Sequence, residues 1–205
     1  MKVRSIIVVV VLFIFVIFGA ILFSSGTSED IGPCTEYQCD VKLFHFATTI
    51  EIDKEEEDFA TVSGDIFKFV TDPLTMYDLD GNKVAYAGDS YRFIAQDSHT
   101  IYVNGTLSSE MVGLFKLFGE AYDIYDTSGS KIAHVDFNFS NTYGSMRDTA
   151  GNIIADFHSF PFFNDFDVRI TEDCPLDEKT VLMMFSSYYS DHSADSASSS
   201  HSSSD

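Results

Sequence analysis

A chain of 205 residues that is 45% hydrophobic, with 20 Phe and 10 Tyr, can supply a membrane anchor and one domain with a full core. Its formal charge of −20, with only 12 Lys and Arg, excludes binding to nucleic acid or anionic lipid by phosphate neutralisation, which needs clustered cations. Three cysteines, Cys34, Cys39 and Cys174, are too few and too scattered for a disulfide scaffold or a paired-CxxC zinc site. A Cys34 to Cys39 bridge with Cys174 left over and three free thiols both remain open.

Met1 to Phe23 reads as an N-terminal transmembrane anchor. After Lys2 and Arg4, Ile6 to Phe23 is an 18-residue apolar run without charge, about 27 Å long as a helix and matched to a bilayer core. The competing reading is a secretory signal with Ser24-Ser25-Gly26 as its cleavage site. Positive charge on the short N-terminal side places the N-terminus in the cytoplasm and the rest outside, giving a single-pass protein of the cell membrane. Residues 24–40, with Gly26, Gly32 and Pro33, read as a linker.

From Val41 to Ser190 the chain reads as one β domain. Strand candidates are Leu43–Ile52, Phe59–Val70, Val84–Ala95, Thr100–Val103, Met111–Tyr125, Ile132–Phe139, Tyr143–Arg147, Ile153–Phe157 and Phe166–Thr171. Ala133, Val135, Phe137 and Phe139 alternate with His134, Asp136 and Asn138, so one face is buried and one is wet. Lys54–Asp58 reads as a solvated hairpin loop, and Phe160-Pro161-Phe162-Phe163 as core or a barrel lid. Near the end, acidic residues at Asp173, Asp177 and Glu178 precede Val181-Leu182-Met183-Met184-Phe185 and Tyr188-Tyr189. That pattern predicts a helix over about 176–189, apolar on nearly every side and therefore enclosed by protein. The Ser-rich residues 191–205 read as a disordered tail.

One phrase occurs three times: Tyr77-Asp78-Leu79-Asp80-Gly81-Asn82-Lys83-Val84-Ala85, Tyr125-Asp126-Thr127-Ser128-Gly129-Ser130-Lys131-Ile132-Ala133 and Arg147-Asp148-Thr149-Ala150-Gly151-Asn152-Ile153-Ile154-Ala155. An Asp that closes a turn, a Gly that takes positive φ and a resuming β-branched residue are hairpin chemistry, so the sheet is repetitive and antiparallel. With Phe118–Asp126, Ile132–Val135 and the terminal apolar segment Val181–Tyr189, these phrases resemble the tubby C-terminal-like superfamily, in particular the LURP-one-related proteins and, more distantly, the phospholipid scramblases. The resemblance spans about Leu43 to Asp191 and implies a mainly β fold: a closed antiparallel β-barrel enclosing a hydrophobic C-terminal helix. It does not carry phosphoinositide binding over, because the basic residues that tubby proteins use are scarce here.

Three constellations carry conceivable chemistry. His134, Asp136, Asp156 and His158 superpose across the 22-residue offset of the second and third repeats and are metal-ligand types. An intervening strand would hold the two pairs about 9.6 Å apart, too far for one metal. Asp78, Asp80 and Asn82 echo the opening of a calcium loop but lack its later ligands, and a side-chain-stabilised turn accounts for them. Asn104-Gly105-Thr106 and Asn138-Phe139-Ser140 match the glycosylation acceptor. No nucleophile elbow occurs. The expectation is a non-enzymatic, membrane-anchored structural or interaction domain with no cofactor and no nucleic-acid partner, whose partners are the membrane and another protein. The alternative is a module that takes a lipid or apolar ligand in its barrel.

Overall fold

Among the described residues, alternation of apolar and polar residues at a period of two lays down twelve strands. They are β1 (Cys34–Phe44), β2 (Ala47–Lys54), β3 (Glu57–Asp65), β4 (Leu74–Tyr77), β5 (Lys83–Asp89), β6 (Ser98–Val103), β7 (Thr106–Leu114), β8 (Ala121–Tyr125), β9 (Lys131–Phe137), β10 (Tyr143–Asp148), β11 (Ile153–Ser159) and β12 (Asp165–Thr171). One helix follows, α1 (Glu178–Ser199). The computed structural model describes residues 30–44, 47–65, 74–89, 98–116, 119–159 and 165–199. The apolar run Ile6–Phe23 and the Phe160–Phe163 cluster lie outside the described residues. Among the described residues no helix is long and apolar enough to cross a membrane.

Each strand pairs antiparallel with its sequence neighbour, and β1 pairs with β12, from Cys34 opposite Thr171 to Asp40 opposite Asp165, so the sheet closes into a barrel. The three repeated phrases are its β4–β5, β8–β9 and β10–β11 turns, and they share one hydrogen-bond design. Asp78 accepts the N–H of Asp80 at 3.0 Å and of Asn82 at 2.8 Å on its carboxylate, and the Gly81 N–H on its carbonyl at 3.0 Å. Asp126 does the same for Ser128, Ser130 and Gly129, and Asp148 for Ala150, Asn152 and Gly151. Side-chain bonds from Asn82, Ser128 and Asn152, with these backbone bonds, lower the pKa of all three carboxyls.

Inward residues of the wall meet α1, which Asp177 caps by accepting the Lys179 N–H at 2.9 Å. Each residue advances the helix by about 100°, so consecutive apolar residues face all directions. Val181, Leu182, Met183, Met184, Phe185 and Tyr188 are all buried. Their surroundings come from around the ring. Tyr188 stacks on Phe137 of β9 at 3.4 Å and meets Tyr122 of β8 edge-on, Phe185 stacks on Phe157 of β11, and Tyr189 on Phe166 of β12. Polar contacts add four more strands. Tyr37 of β1 and Lys54 of β2 donate to Glu178 at 2.5 and 2.8 Å, Ser108 of β7 bonds Thr180 at 2.7 Å, and His99 of β6 pairs with Asp191 at 3.1 Å. Gly144 of β10 makes room for this packing, since a Cβ there would lie 2.5 Å from the Phe137 ring.

Several expectations are corrected. The linker stops short of residue 40, because Cys34–Asp40 is the first half of β1, with Tyr37 and Cys39 buried inward beneath a polar outer row. Cys34 and Cys39 therefore point to opposite faces about 16 Å apart along one strand, beyond any disulfide, and none of the three cysteines is joined in one. Met111–Tyr125 is two strands rather than one, β4 had no counterpart among the candidates, and the Lys54–Asp58 loop shrinks to a turn at Glu55-Glu56. The helix is longer than the pattern predicts, running through residues 191–199 at the start of the Ser-rich stretch.

Truncating Phe185 to Ala should cost about 3–5 kcal/mol in urea unfolding, because the ring is fully buried between helix and wall. Asp148→Ala should lower the melting temperature while Asp148→Asn, which keeps an acceptor for the Ala150 and Asn152 N–H groups, holds it closer to wild type.

Candidate functional site

β9, β10 and β11 lie side by side and their outward rows bring the histidine–aspartate residues into register. Ser145 of β10 stands opposite both Asp136 and Asp156, while Arg147 faces His134 and Tyr143 faces His158. Asp136 and Asp156 are thus two strands apart, about 9.6 Å, and the two histidines are displaced to opposite ends of the row. The four do not converge. Each pair is instead engaged locally.

His134 lies between two carboxylates, with Nδ1 at 2.7 Å from Asp123 and Nε2 at 3.1 Å from Asp136. Lys131 reaches Asp123 at 2.5 Å and Lys116 reaches Asp136 at 2.7 Å. Burial raises both carboxyls, but these cationic and hydrogen-bonding neighbours prevail and hold them below the usual range. The result is a five-residue ionic network on the barrel wall. Asp156, although on the outer face, is only 2% exposed, and Arg169 of β12 grips it with Nε at 2.9 Å and a second bond from the guanidinium. His158 lies opposite Asp167, whose carboxyl is raised chiefly by burial against the pull of that histidine.

The calcium-like residues are equally committed. Asp78 uses both carboxylate oxygens on Asp80 and Asn82, including the Asn82 side chain at 3.1 Å, so the loop is a turn. Of the two glycosylation sequences, Asn104 and Gly105 form the exposed β6–β7 turn with φ of 49° and 77°. Asn138 holds the β9–β10 turn, accepting from Thr142 and Tyr143 N–H and donating to Thr142 Oγ1. Among the described residues no group of three or more His, Cys, Asp or Glu is placed to hold a metal ion.

The titratable group that sequence reasoning missed sits where α1 meets the far end of the barrel. His192 donates from Nδ1 to the Tyr188 carbonyl at 2.8 Å and from Nε2 to Glu120 at 2.6 Å, while Tyr122 donates to the same carboxyl at 2.8 Å. Two ring donors require the imidazolium. Burial alone would lower its pKa, yet Glu120 and the Tyr188 carbonyl together hold it above the ordinary value of 6.5. Glu120 is raised by burial but brought below 4.5 by His192 and Tyr122. The only signal in the sequence is that Asp191-His192 continue the helical phase of Tyr188-Tyr189 into a stretch whose Ser content masks it.

Together these features define a closed antiparallel β-barrel with one C-terminal helix, carrying ionic clusters on its wall and at the helix end. No protein-family model matches the sequence, and no match is found among curated proteins or solved structures.

Arg169→Met should destabilise the domain by on the order of 3 kcal/mol in urea unfolding, because it strands a buried carboxylate, and adding Asp156→Leu should recover most of that loss. The His192–Glu120 contact has a defined pH window. A raised histidine stabilises fully below 6.5 and loses its contribution as pH rises through its folded value, and a lowered carboxyl stabilises above 4.5 and loses its contribution on acidification. The helix end is therefore held best between about pH 4.5 and 6.5. His192→Gln should flatten the loss of unfolding free energy as pH rises above about 6.5, by at most about 1 kcal/mol because Glu120 is one-third exposed.

Proposed function

We propose that this chain is a non-enzymatic structural or interaction domain, held at the cell membrane by the Ile6–Phe23 run with its N-terminus in the cytoplasm and its barrel outside. The observation that carries this reading is the filling of the barrel. The Val181–Phe185 run and Tyr188 of α1 are buried, and contacts along α1 reach β1, β2, β6, β7, β8, β9, β11 and β12. A helix at the centre leaves the wall no lumen for a substrate, so function falls to the outer surface and the two ends. The same arrangement supports grouping the domain with the tubby C-terminal-like barrels. The ionic clusters fit a supporting role, since each charged group already has its partner inside the wall.

A second reading, a module that binds a lipid or other apolar ligand when α1 shifts, draws on one observation. The hydroxyls of Ser109, Ser186 and Tyr188 are buried among the described residues without a hydrogen-bond partner, a cost of about 1–3 kcal/mol each that a rearranged interior would relieve.

Two measurements separate the readings. Native mass spectrometry of the barrel domain, residues 31–205, should return the bare polypeptide mass across independent preparations; lipid recovered each time would favour the ligand-binding module. Deleting residues 176–199 should abolish cooperative unfolding and cause aggregation, and a truncated domain that still melts cooperatively would remove the helix from the centre of the fold.

A further inference from the structure

Of the two Asn-x-Ser/Thr sequences in the chain, the fold uses one for itself and leaves the other open to solvent. At Asn138 the carboxamide is part of the β9–β10 turn. Its Oδ1 accepts the Thr142 and Tyr143 N–H groups, its Nδ2 donates to Thr142 Oγ1 at 3.2 Å, and the Ser140 hydroxyl is bonded to the same Thr142 oxygen at 2.9 Å. The residue is half-buried, and its backbone lies so close to Gly119 that a Cβ there would sit 3.3 Å from the Asn138 carbonyl carbon. A substituent on Nδ2 would have to displace these contacts.

The Asn104 turn is built the other way. Val103 pairs with Thr106, so Asn104 and Gly105 make the whole connection, in the left-handed backbone that Asn and Gly adopt most readily. Backbone holds it, with the Asn104 N–H donating to Val84 O at 2.8 Å. Asn104, Gly105 and Thr106 are all exposed, and among the described residues neither the Asn104 carboxamide nor the Thr106 hydroxyl has a hydrogen-bond partner. A Cβ on Gly105 would meet nothing within 4 Å, so the tip stands clear of its surroundings.

Beside this tip the outer wall is apolar. Tyr86 of β5, Tyr102 of β6 and Leu107 of β7 form one outward row, Tyr86 opposite Tyr102 and Tyr102 opposite Leu107. The two tyrosine rings stack at 4.5 Å, with Lys83 Nζ over Tyr86 at 4.0 Å. Tyr77, opposite Lys83 in the β4–β5 hairpin, and Leu107 are each 37% exposed, and Leu79 at the tip of that hairpin is 68% exposed. A contiguous apolar strip on a water-facing wall marks a surface that is covered in use, and the carbon-bound hydrogens of a pyranose face pack well on aromatic rings.

We propose that Asn104 carries an N-linked glycan that lies over this strip, and that Asn138 carries none. The modification rests on the proposed placement of the barrel outside the cytoplasm. Its donor is an oligosaccharide carried through its anomeric carbon on a polyprenyl diphosphate. A bond forms from Asn104 Nδ2 to that carbon, the carbon–oxygen bond to the diphosphate breaks, the diphosphate leaves with the electron pair, and the amide nitrogen gives up one proton. Thr106 completes the acceptor, and Gly105 places no side chain between its hydroxyl and the amide.

The test uses the full chain made in a eukaryotic secretory host, with a flexible extension bearing an Asn-Gly-Thr acceptor fused after Asp205 to report which side of the membrane the domain occupies. Both the reporter and Asn104 should be glycosylated, and release by peptide N-glycosidase should leave Asp at each. Asn104→Gln and Thr106→Ala should each lose one glycan, Thr106→Ser should keep it, and Ser140→Ala should leave the count unchanged. Stripping glycans from the folded protein should raise the fluorescence of a bound anilinonaphthalene dye at least about twofold, whereas the same treatment of Asn104→Gln should not. A glycosylated reporter with bare Asn104, or a glycan on Asn138, overturns the proposal and leaves the anchored-domain reading standing. No glycan at either the reporter or Asn104 overturns both. Unchanged dye fluorescence on stripping overturns the cover over the strip.

Discussion

A helix with apolar side chains in every direction has no stable place in water, and in this protein that constraint organises everything else. α1 turns buried residues toward all sides from Val181 to Tyr188, so its partner surface has to surround it. An open sheet would cover one stripe of such a helix; a closed one can cover it all. The β1–β12 pairing that closes the ring, the inward Phe137, Phe157 and Phe166, and the absence of a side chain at Gly144 all serve the same enclosure. Hydrophobic transfer supplies the drive, and the stacked rings fix the rotation and depth of the helix.

Polar interactions refine this arrangement at its two ends. Glu178, near the start of α1, is tied to Tyr37 and Lys54, and further along the helix Asp191 and His192 are tied to His99 and Glu120. Between them the contacts are mainly aromatic and aliphatic. The outer wall holds its ions in closed groups, such as Asp156 with Arg169 and His134 with Asp123 and Asp136. Groups satisfied in this way stabilise a surface more than they act on other molecules.

The scaffold was legible where a local rule operates. Asp and Gly three residues apart marked three turns, strict alternation marked β9 and β12, and an apolar run without a polar face marked a helix in need of cover. Legibility failed where neighbours in space decide. Residues Cys34–Asp40 look like a linker because Gly32-Pro33 precede them and their outward positions are polar, yet pairing to β12 makes them a strand. The four-residue β4 is too short to show a period. The Ser-rich end of α1 lacks the hydrophobic pattern that would extend it, and His192, which precedes it, is held by Glu120, 72 residues away. The Asp156–Arg169 pair likewise arises from register across the β11–β12 hairpin, which the number of intervening residues alone does not set.

The seam between β1 and β12 has a consequence for how the protein comes into being. Because β1 is completed only by β12, and the helix follows both, an emerging chain is an open sheet with two unpaired edges and an apolar inner face until β12 and α1 have been made. Such a molecule matures late and all at once, limited by contacts between its most distant segments. Among the described residues every strand of the closed ring is paired on both sides, so the hazard belongs to the nascent molecule and falls away once α1 is enclosed.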